Sequence, residues 1–209
     1  YYNMFGHQLL ETITSQINGN LEVRRWGKDI YVTTAGLTQS GGLIKELWAK
    51  TLKKLKPRDI KHKSWLILGL ATGTLAKIIS TRYFPSRIIG VELDPEMVRI
   101  GRKYFDLDKI SNLEIINADA EKFVFQTKEK FDIVIVDLYV GEQLPDFVYQ
   151  KKFLEQLGKL GQLVILNHLF YDADKKTKAR LLSDRLAKIF PHIQLVHELT
   201  NLLIICNND

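Results

Sequence analysis

The chain has 209 residues, of which 45% are hydrophobic and 26% charged. This size and balance exclude a disordered chain and suit a globular domain with a full hydrophobic core. No apolar run is as long as a membrane span and we see no secretory signal, although Tyr1 in place of Met leaves open whether the N-terminus is complete. The single cysteine, Cys206, excludes an intrachain disulfide, so we expect a cytoplasmic protein.

The net charge of +6 comes from one segment. Residues 45–63 hold eight Lys or Arg and two Asp or Glu, which equals the excess of the whole chain. Such a lysine-rich segment can contact phosphate, but it is more often the solvated face of a helix. We therefore expect a solvated face and disfavour a nucleic-acid partner. A homodimer stays open, and no membrane partner is expected.

The beginning of the chain is predicted to form a short β-rich extension, residues 1–40. Two β-rich runs, "LEVRRW" and "DIYVTT", flank a glycine turn and predict a β-hairpin over residues 21–34. Residues 1–18 fit no single pattern. Apolar residues then recur at helical spacing and predict an amphipathic helix over residues 41–56, which Pro57 ends.

From residue 64 onward, predicted strands and helices alternate five times. The strands are "SWLILG", "RIIGVEL", "LEIINA", "FDIVIVDL" and "GQLVILN", and the helices cover 73–82, a segment beginning at Asp94-Pro95-Glu96, 119–125, 146–157 and 173–190. Two more β-rich runs, "HIQLVHEL" and "LLIICN", predict a closing antiparallel hairpin. Right-handed crossovers make residues 41–209 an α/β, doubly wound, mostly parallel seven-stranded sheet of the Rossmann-like type.

A glycine-containing loop follows the first of these strands, in "WLILGLATGTLAKII". Gly69 permits a tight turn, Ala71 still allows a ligand to approach the backbone, and Gly73 opens the next helix. Ligands of doubly wound sheets bind beyond the carboxyl ends of the strands, so the loop is placed for a nucleotide. Alone it is a weak signal, since any buried strand-to-helix turn favours small residues.

Acidic residues end the next three strands. Glu92 lies 23 residues after Gly69 and can accept hydrogen bonds from both hydroxyls of a ribose. Asp119 can accept a bond from an adenine amino group, and it also suits the N-cap of the following helix. Asp137 can orient or deprotonate an amine or hydroxyl nucleophile, and a helix cap is the open alternative.

Together these segments resemble the spermidine synthase family and its relatives on the class I methyltransferase fold, over residues 37–168. The matching pieces are "LILGLATGTLAKII", "IIGVELDPEMVRIGRKYF", "NADAEKF", "FDIVIVDLYVG" and "PDFVYQKKFLEQLGKLGQLVILN". The predicted hairpin and "AGLTQSG" resemble a shortened version of the family's N-terminal β-domain. The resemblance implies ribose binding by Glu92, adenine contacts by Asp119 and Ala120, and a loop that lines the donor's amino-acid tail. The residues expected to bind the donor are Gln39, Gly69, Leu70, Ala71, Thr72, Gly73, Glu92, Leu93, Asp119 and Ala120.

The chain departs from the family where the chemistry is done. The family's first loop carries an acid in a Gly-Gly-Gly-Asp-Gly pattern, where this chain has Thr72, and a second acid three residues after Asp137 is replaced by Val140. The family's Tyr-His pair has no match in "SGGLIKELW". A diamine is dicationic near neutral pH and needs several carboxylates, whereas here Asp137 remains with Glu142 or Asp146 as further candidates. A threonine in the loop also does not repel the carboxylate of S-adenosylmethionine.

These features predict an S-adenosylmethionine-binding group-transfer enzyme that is methyltransferase-like. Asp137 or Tyr139 would orient a small-molecule acceptor that the sequence does not identify. One alternative is an aminopropyltransferase of the spermidine synthase type, which would use decarboxylated S-adenosylmethionine and a diamine. Another is a non-catalytic nucleoside-binding or interaction module, which Ala71 favours. The histidines lack metal-ligand spacing with cysteine, so we expect no metal.

Overall fold

The computed structural model describes residues 6–55 and 61–208. They form a four-stranded antiparallel sheet followed by a seven-stranded sheet with helices on both faces, which confirms the predicted α/β class. Pro57, the predicted end of the first helix, lies outside the described residues. No helix in the described part of the chain is long and apolar enough to cross a membrane.

The N-terminal sheet is larger than the predicted hairpin. Its strands pair in chain order and are β1 (His7–Ser15), β2 (Gly19–Trp26), β3 (Asp29–Thr34) and β4 (Leu37–Gly41). The hairpin is β2–β3. The register of β1 shifts between Leu9 and Glu11, and such a bulge interrupts the alternation from which a strand is recognised. The predicted boundary after residue 40 lies next to the end of β4 and stays a prediction.

The main sheet has five parallel strands and an antiparallel hairpin at one edge. The strands are β5 (Ser64–Leu68), β6 (Arg87–Glu92), β7 (Leu113–Asn117), β8 (Phe131–Val136), β9 (Gly161–Leu169), β10 (His192–Glu198) and β11 (Asn201–Asn207). Their order is β10-β11-β9-β8-β5-β6-β7. The chain builds outward from β5 on one side and then returns to add β8 beside it, so the topological switch point lies between β5 and β8.

In residues 6–55 and 61–208, six α-helices lie between these strands: α1 (Gly42–Lys53), α2 (Thr74–Tyr83), α3 (Pro95–Tyr104), α4 (Ala120–Gln126), α5 (Lys151–Leu160) and α6 (Ala173–Leu186). The helix predicted over 146–157 is divided, because Gln150 is extended between a 3-10 turn at Asp146–Tyr149 and α5. Val148 and Phe153 are both fully buried, so the hydrophobic spacing continues across a break in the backbone. The last predicted helix ends at Leu186 rather than residue 190.

Both faces of the parallel strands are buried. Alternate residues of β5 and β8 point to opposite sides: Leu66 and Val134 pack in the cluster that contains α4, α5 and α6, while Ile67 and Ile133 pack against α1 and α2. This explains the uninterrupted apolar runs in the sequence, since a strand covered on both faces has no solvent-facing position.

A buried carboxylate joins the two sheets. Asp94 Oδ1 accepts the backbone N–H of Glu96 at 2.9 Å and so caps α3, as the sequence predicted. Its Oδ2 accepts from Ser15 Oγ at 2.5 Å and from Asn18 Nδ2 at 2.6 Å. The cap therefore also fastens the β1–β2 turn to the main sheet.

Replacing Asp94 by Ala should destabilise the fold by more than the loss of a cap. Loss of an N-cap lowers the free energy of unfolding by about 1 kcal/mol. Ser15 and Asn18 would also lose their hydrogen-bond acceptor, which raises the expected decrease to about 2–4 kcal/mol. The measurement is the free energy of unfolding in urea. Asp119→Ala is the matched control, because Asp119 caps α4 through Lys122 N at 3.0 Å and should cost about 1 kcal/mol. Equal losses in the two variants would contradict the role given to Asp94.

Candidate functional site

A cavity of about 630 Å³ lies beyond the carboxyl ends of the parallel strands, at the switch point between β5 and β8. Its volume is in the range of small-molecule sites, and its position is where doubly wound sheets bind ligands. The sequence-predicted site residues that line it are Gln39, Gly69, Ala71, Glu92, Leu93, Asp119, Ala120, Asp137 and Tyr139.

The loop after β5 has the shape of a glycine loop although alanine occupies its middle. Gly69 has φ +89°, and a Cβ there would lie 2.2 Å from the carbonyl oxygen of Asp137, so only glycine fits. Ala71 is also left-handed, with φ +50°, a conformation that costs a non-glycine residue about 1–2 kcal/mol. The backbone N–H of Ala71 donates to Glu92 Oε2 at 2.7 Å, and this bond helps to hold the strained turn.

Glu92 is held by the backbone on both of its carboxylate oxygens. Oε2 accepts from Ala71 N, and Oε1 accepts from Asp94 N at 2.9 Å. Burial is the largest influence on its pKa and raises it, while these two bonds act in the opposite direction. A carboxylate has about four acceptor positions, so Glu92 keeps acceptor capacity for a ligand in the cavity beyond its bonds to Ala71 and Asp94.

Thr72 does not face the cavity. Its side chain is fully buried, with Oγ1 2.5 Å from Ser40 Oγ, and Ser40 Oγ lies 2.8 Å from Thr74 Oγ1. This hydroxyl cluster ties the end of β4 to the loop after β5. The sequence analysis placed Thr72 among the residues that bind the donor, but in the structure its hydroxyl is hydrogen-bonded to Ser40.

Two more loop residues pack behind the cavity. Leu70 covers Gly90 of β6, where a Cβ would meet the leucine methyl at 2.7 Å. Gly73 lies against Leu107, whose Cδ1 would be 2.2 Å from an added Cβ. Leu70 and Gly73 therefore shape the loop, and any donor contact predicted for them would come from the backbone.

The remaining predicted donor residues lie around the same opening. Asp119 lines the cavity while its Oδ1 caps α4, so the two roles considered from the sequence are compatible in one position. Ala120 is buried, and Leu93 is exposed at the rim. Gln39 Nε2 donates to the carbonyl oxygen of Gly141 at 3.4 Å, which links β4 to the loop after β8.

Asp137 is fixed by two hydrogen-bond donors that sequence reasoning missed. Trp48 Nε1 of α1 donates to Oδ2 at 2.8 Å, and Asn167 Nδ2 of β9 donates to Oδ1 at 2.8 Å. Asn201 Nδ2 of β11 donates in turn to Asn167 Oδ1 at 2.8 Å. Burial raises the pKa of Asp137, and the bonds from Asn167 and Trp48 lower it. Asn167 could have been predicted as a site residue because it is a polar residue near the end of the fifth parallel strand. Trp48 could not, because its spacing is that of an ordinary buried residue of α1.

Tyr139 is engaged by the backbone of β9. Its hydroxyl donates to the carbonyl oxygen of Asn167 at 3.0 Å and accepts from the N–H of Leu169 at 2.9 Å. Burial, followed by the charge of Asp137, raises the pKa of Tyr139 well above its ordinary value. Because the Tyr139 hydroxyl already donates its proton to the backbone, this side chain is suited to form part of the cavity wall. Of the two residues predicted to orient an acceptor, Asp137 is therefore the stronger candidate.

Glu142, the other candidate acid lining the cavity, is paired with a lysine. Glu142 Oε2 lies 2.8 Å from Lys175 Nζ, and Oε1 accepts from the hydroxyl of Tyr171. Lys175 lowers the pKa of Glu142. Asp146 is not among the described residues that line the cavity.

The lysine-rich segment shows the ion pairs of a solvated helix face. Lys50 pairs with Glu46 at 2.6 Å, and Lys45 pairs with Asp29 at 3.3 Å; all four side chains are about half exposed. The disfavoured nucleic-acid contact and the homodimer stay predictions.

Residues 66–155 match a family model described as a methyltransferase domain. The chain is 28% identical over 131 residues to a probable polyamine aminopropyl transferase of Bifidobacterium longum. It is 30% identical over 168 residues to the eEF1A lysine and N-terminal methyltransferase homolog of Drosophila pseudoobscura pseudoobscura. These alignments cover 61% and 73% of the chain, which spans only 29% and 24% of the two relatives.

Solved structures of spermidine synthases and methyltransferases also resemble this chain. A probable spermidine synthase from Corynebacterium glutamicum matches with a TM-score of 0.77 at 16% identity, covering 97% of this chain and 81% of that one. The chain is therefore similar to spermidine synthases and has the class I methyltransferase fold. Human methyltransferase-like protein 13 in complex with SAH matches with a TM-score of 0.63 at 19% identity, covering 79% of this chain and 81% of that one. At these identities the structural likeness shows the fold.

Replacing Trp48 by Phe removes one of the two donors that hold the Asp137 carboxylate. Because the indole N–H lowers the pKa of Asp137, we expect that pKa to rise further. A raised carboxyl pKa gives stability that is complete below the ordinary aspartate value of about 4 and is lost as the pH rises through the folded-state value. Trp48→Phe should therefore lose about 1–3 kcal/mol more at neutral than at acidic pH, measured by urea unfolding across pH.

The control for this pH dependence is the Asp137→Asn background, where position 137 no longer titrates. There, the Trp48 substitution should cost the same free energy of unfolding at every pH. Parallel pH profiles for the native chain and Trp48→Phe would show that the indole does not stabilise the ionised carboxylate.

Proposed function

We propose that the chain is an S-adenosylmethionine-dependent transferase that moves a methyl group to a small-molecule acceptor. The observation that carries this proposal is one cavity with two fixed carboxylates: Glu92 beside the loop after β5, and Asp137 between Trp48 and Asn167. The relatives include methyltransferases and aminopropyltransferases, both of which are transferases.

The donor would occupy the side of the cavity formed by β5, β6 and β7. The free acceptor positions of Glu92 suit the two ribose hydroxyls, and Asp119 and Ala120 flank the place of the adenine. The SAH in the human methyltransferase-like structure supports a ligand of this type. Gly69 and Ala71 would then lie along the donor's tail, where their backbone is free of large side chains.

The acceptor would bind beside Asp137. Bound S-adenosylmethionine would supply an activated methyl group: the acceptor's lone pair would form a bond to the methyl carbon while the carbon–sulfur bond breaks and its electron pair stays on sulfur. Holding donor and acceptor in line supplies most of what such a reaction needs. The proton released from the acceptor's nitrogen or oxygen goes to a base, and Asp137 is placed to accept it. Its raised pKa makes it a better base than an exposed aspartate.

Aminopropyl transfer is the second candidate, favoured by one observation. Since the Thr72 hydroxyl is bonded to Ser40, it offers no contact to the carboxylate that distinguishes S-adenosylmethionine from its decarboxylated form. The pairing of Glu142 with Lys175 weighs against a dicationic diamine. We further propose a cytoplasmic location, because Cys206 is a buried free thiol.

A thermal-shift comparison distinguishes these functions. A ligand that binds the folded state raises the melting temperature once its concentration exceeds its dissociation constant. We expect S-adenosylmethionine to raise the melting temperature more than decarboxylated S-adenosylmethionine or methylthioadenosine at equal concentration. A stronger effect of the decarboxylated donor would favour aminopropyl transfer. No effect of any of the three would favour a non-catalytic module.

Glu92→Ala should abolish binding of S-adenosylhomocysteine in calorimetry, because it removes the acceptors for both ribose hydroxyls. Glu92→Gln keeps the size of the side chain and should weaken binding by about tenfold or more, since its amide nitrogen cannot accept. Glu114→Ala is the control: Glu114 lies on the neighbouring strand β7 and pairs with Arg87 at the surface. Unchanged binding by Glu92→Gln and Glu92→Ala would remove Glu92 from the site.

A further inference from the structure

The mouth of the cavity on the Asp137 side is built from exposed aliphatic side chains. Leu43 of α1, Val140 after β8 and Leu199 of the β10–β11 turn all line the cavity, with exposures of 60%, 45% and 48%. Asp137, Trp48, Asn167 and Asn201 form one hydrogen-bonded group. Leu43 is close in sequence to Trp48, Val140 to Asp137, and Leu199 to Asn201. Large aliphatic groups grouped around one opening mark a surface that an apolar ligand covers.

Among the described residues that line the acceptor side of the cavity, one carboxylate has no cationic side chain paired with it. Four described carboxylates line the cavity: Glu92, Asp119, Asp137 and Glu142. The first two lie on the donor side. Glu142 already has Lys175 as its cationic partner, so Asp137, whose two hydrogen-bond donors are the neutral side chains of Trp48 and Asn167, remains for a cationic group on the acceptor.

Lys175 is held in place by several partners. Although a lysine, it is only 9% exposed. Its Nζ lies 2.8 Å from Glu142, 3.0 Å from Asp172 and 4.4 Å from the centre of the Tyr171 ring. A cation competing for Glu142 would have to displace this ammonium and leave it without that partner in a mostly buried position, which costs free energy.

We propose that the acceptor is an apolar molecule with a single nucleophilic nitrogen or oxygen, and that Lys175 excludes diamines by occupying Glu142. The proposal rests on the proposed function and names the class of its acceptor. An acceptor of this class places its one polar group at Asp137 and its alkyl or aromatic body against the exposed aliphatic mouth. The second ammonium of a diamine would lose water there without gaining a carboxylate.

The test is a matched pair of probes, n-hexylamine and 1,6-diaminohexane, which differ in one terminal ammonium. Each is titrated calorimetrically into the chain, with and without S-adenosylhomocysteine. We expect the native chain to bind hexylamine about tenfold more tightly than the diamine. Equal or tighter binding of the diamine would overturn the proposal, and this comparison does not depend on any variant folding.

Variants then test the role of Lys175. Lys175→Met frees Glu142 and should tighten diamine binding about tenfold while leaving hexylamine within about twofold. Adding Glu142→Gln to that variant should restore the preference for hexylamine. Lys178→Met is the control, since Lys178 pairs with Asp174 on the same helix and neither residue lines the cavity. A Lys175→Met chain that still rejects the diamine would overturn the role of Lys175.

The two proposals fail separately. If S-adenosylhomocysteine does not bind, the donor assignment is wrong, and the amine titrations without it still decide the acceptor class. If S-adenosylhomocysteine binds and the diamine is preferred, the transferase proposal stands and the apolar acceptor is wrong.

Discussion

The site depends on the close approach of two strand ends at the switch point. The position that a Cβ of Gly69 would occupy is 2.2 Å from the carbonyl oxygen of Asp137, so the backbones after β5 and β8 touch there. This contact brings the loop that begins at Gly69 and the carboxylate of Asp137 to the same cavity. Any side chain at position 69 would separate the strands and with them the two halves of the site.

Polar side chains of the site also hold the fold together. The Glu92 carboxylate accepts from the backbone of Ala71 and Asp94, and therefore closes the loop after β5 onto the start of α3. On the other side, Asp137 joins α1 to β9 through Trp48 and Asn167. Positions fixed in this way do not have to be ordered when a ligand arrives, which lowers the cost of binding.

The sequence predicted the features that depend on local pattern. The parallel strands, the capped start of α3 and the Glu92 and Asp119 positions follow from apolar runs, spacing and cap chemistry. The bulged β1 was missed because its alternation is interrupted, and the extended Gln150 was missed because the apolar spacing continues across it.

Long-range side-chain partners were beyond the sequence. Nothing near Thr72 indicates that its hydroxyl meets Ser40, which is 32 residues away. The bond from Trp48 to Asp137 spans 89 residues, and the ion pair of Glu142 with Lys175 also joins two distant elements. These contacts depend on how helices and strands pack against one another. Residue type and local spacing therefore do not predict the individual side-chain pairs.

The joint at Asp94 has a consequence for how the two sheets behave. Asn18, which Asp94 holds, lines the cavity together with Ile17, while Asp94 donates its backbone N–H to Glu92. The N-terminal sheet is therefore part of the wall of the ligand site. A ligand that contacts both the N-terminal sheet and the main sheet stabilises the docking of one sheet on the other. The docking strengthens the binding of that ligand by the same free energy. Occupancy of the cavity and docking of the N-terminal sheet are thus linked equilibria, and a change in one shifts the other.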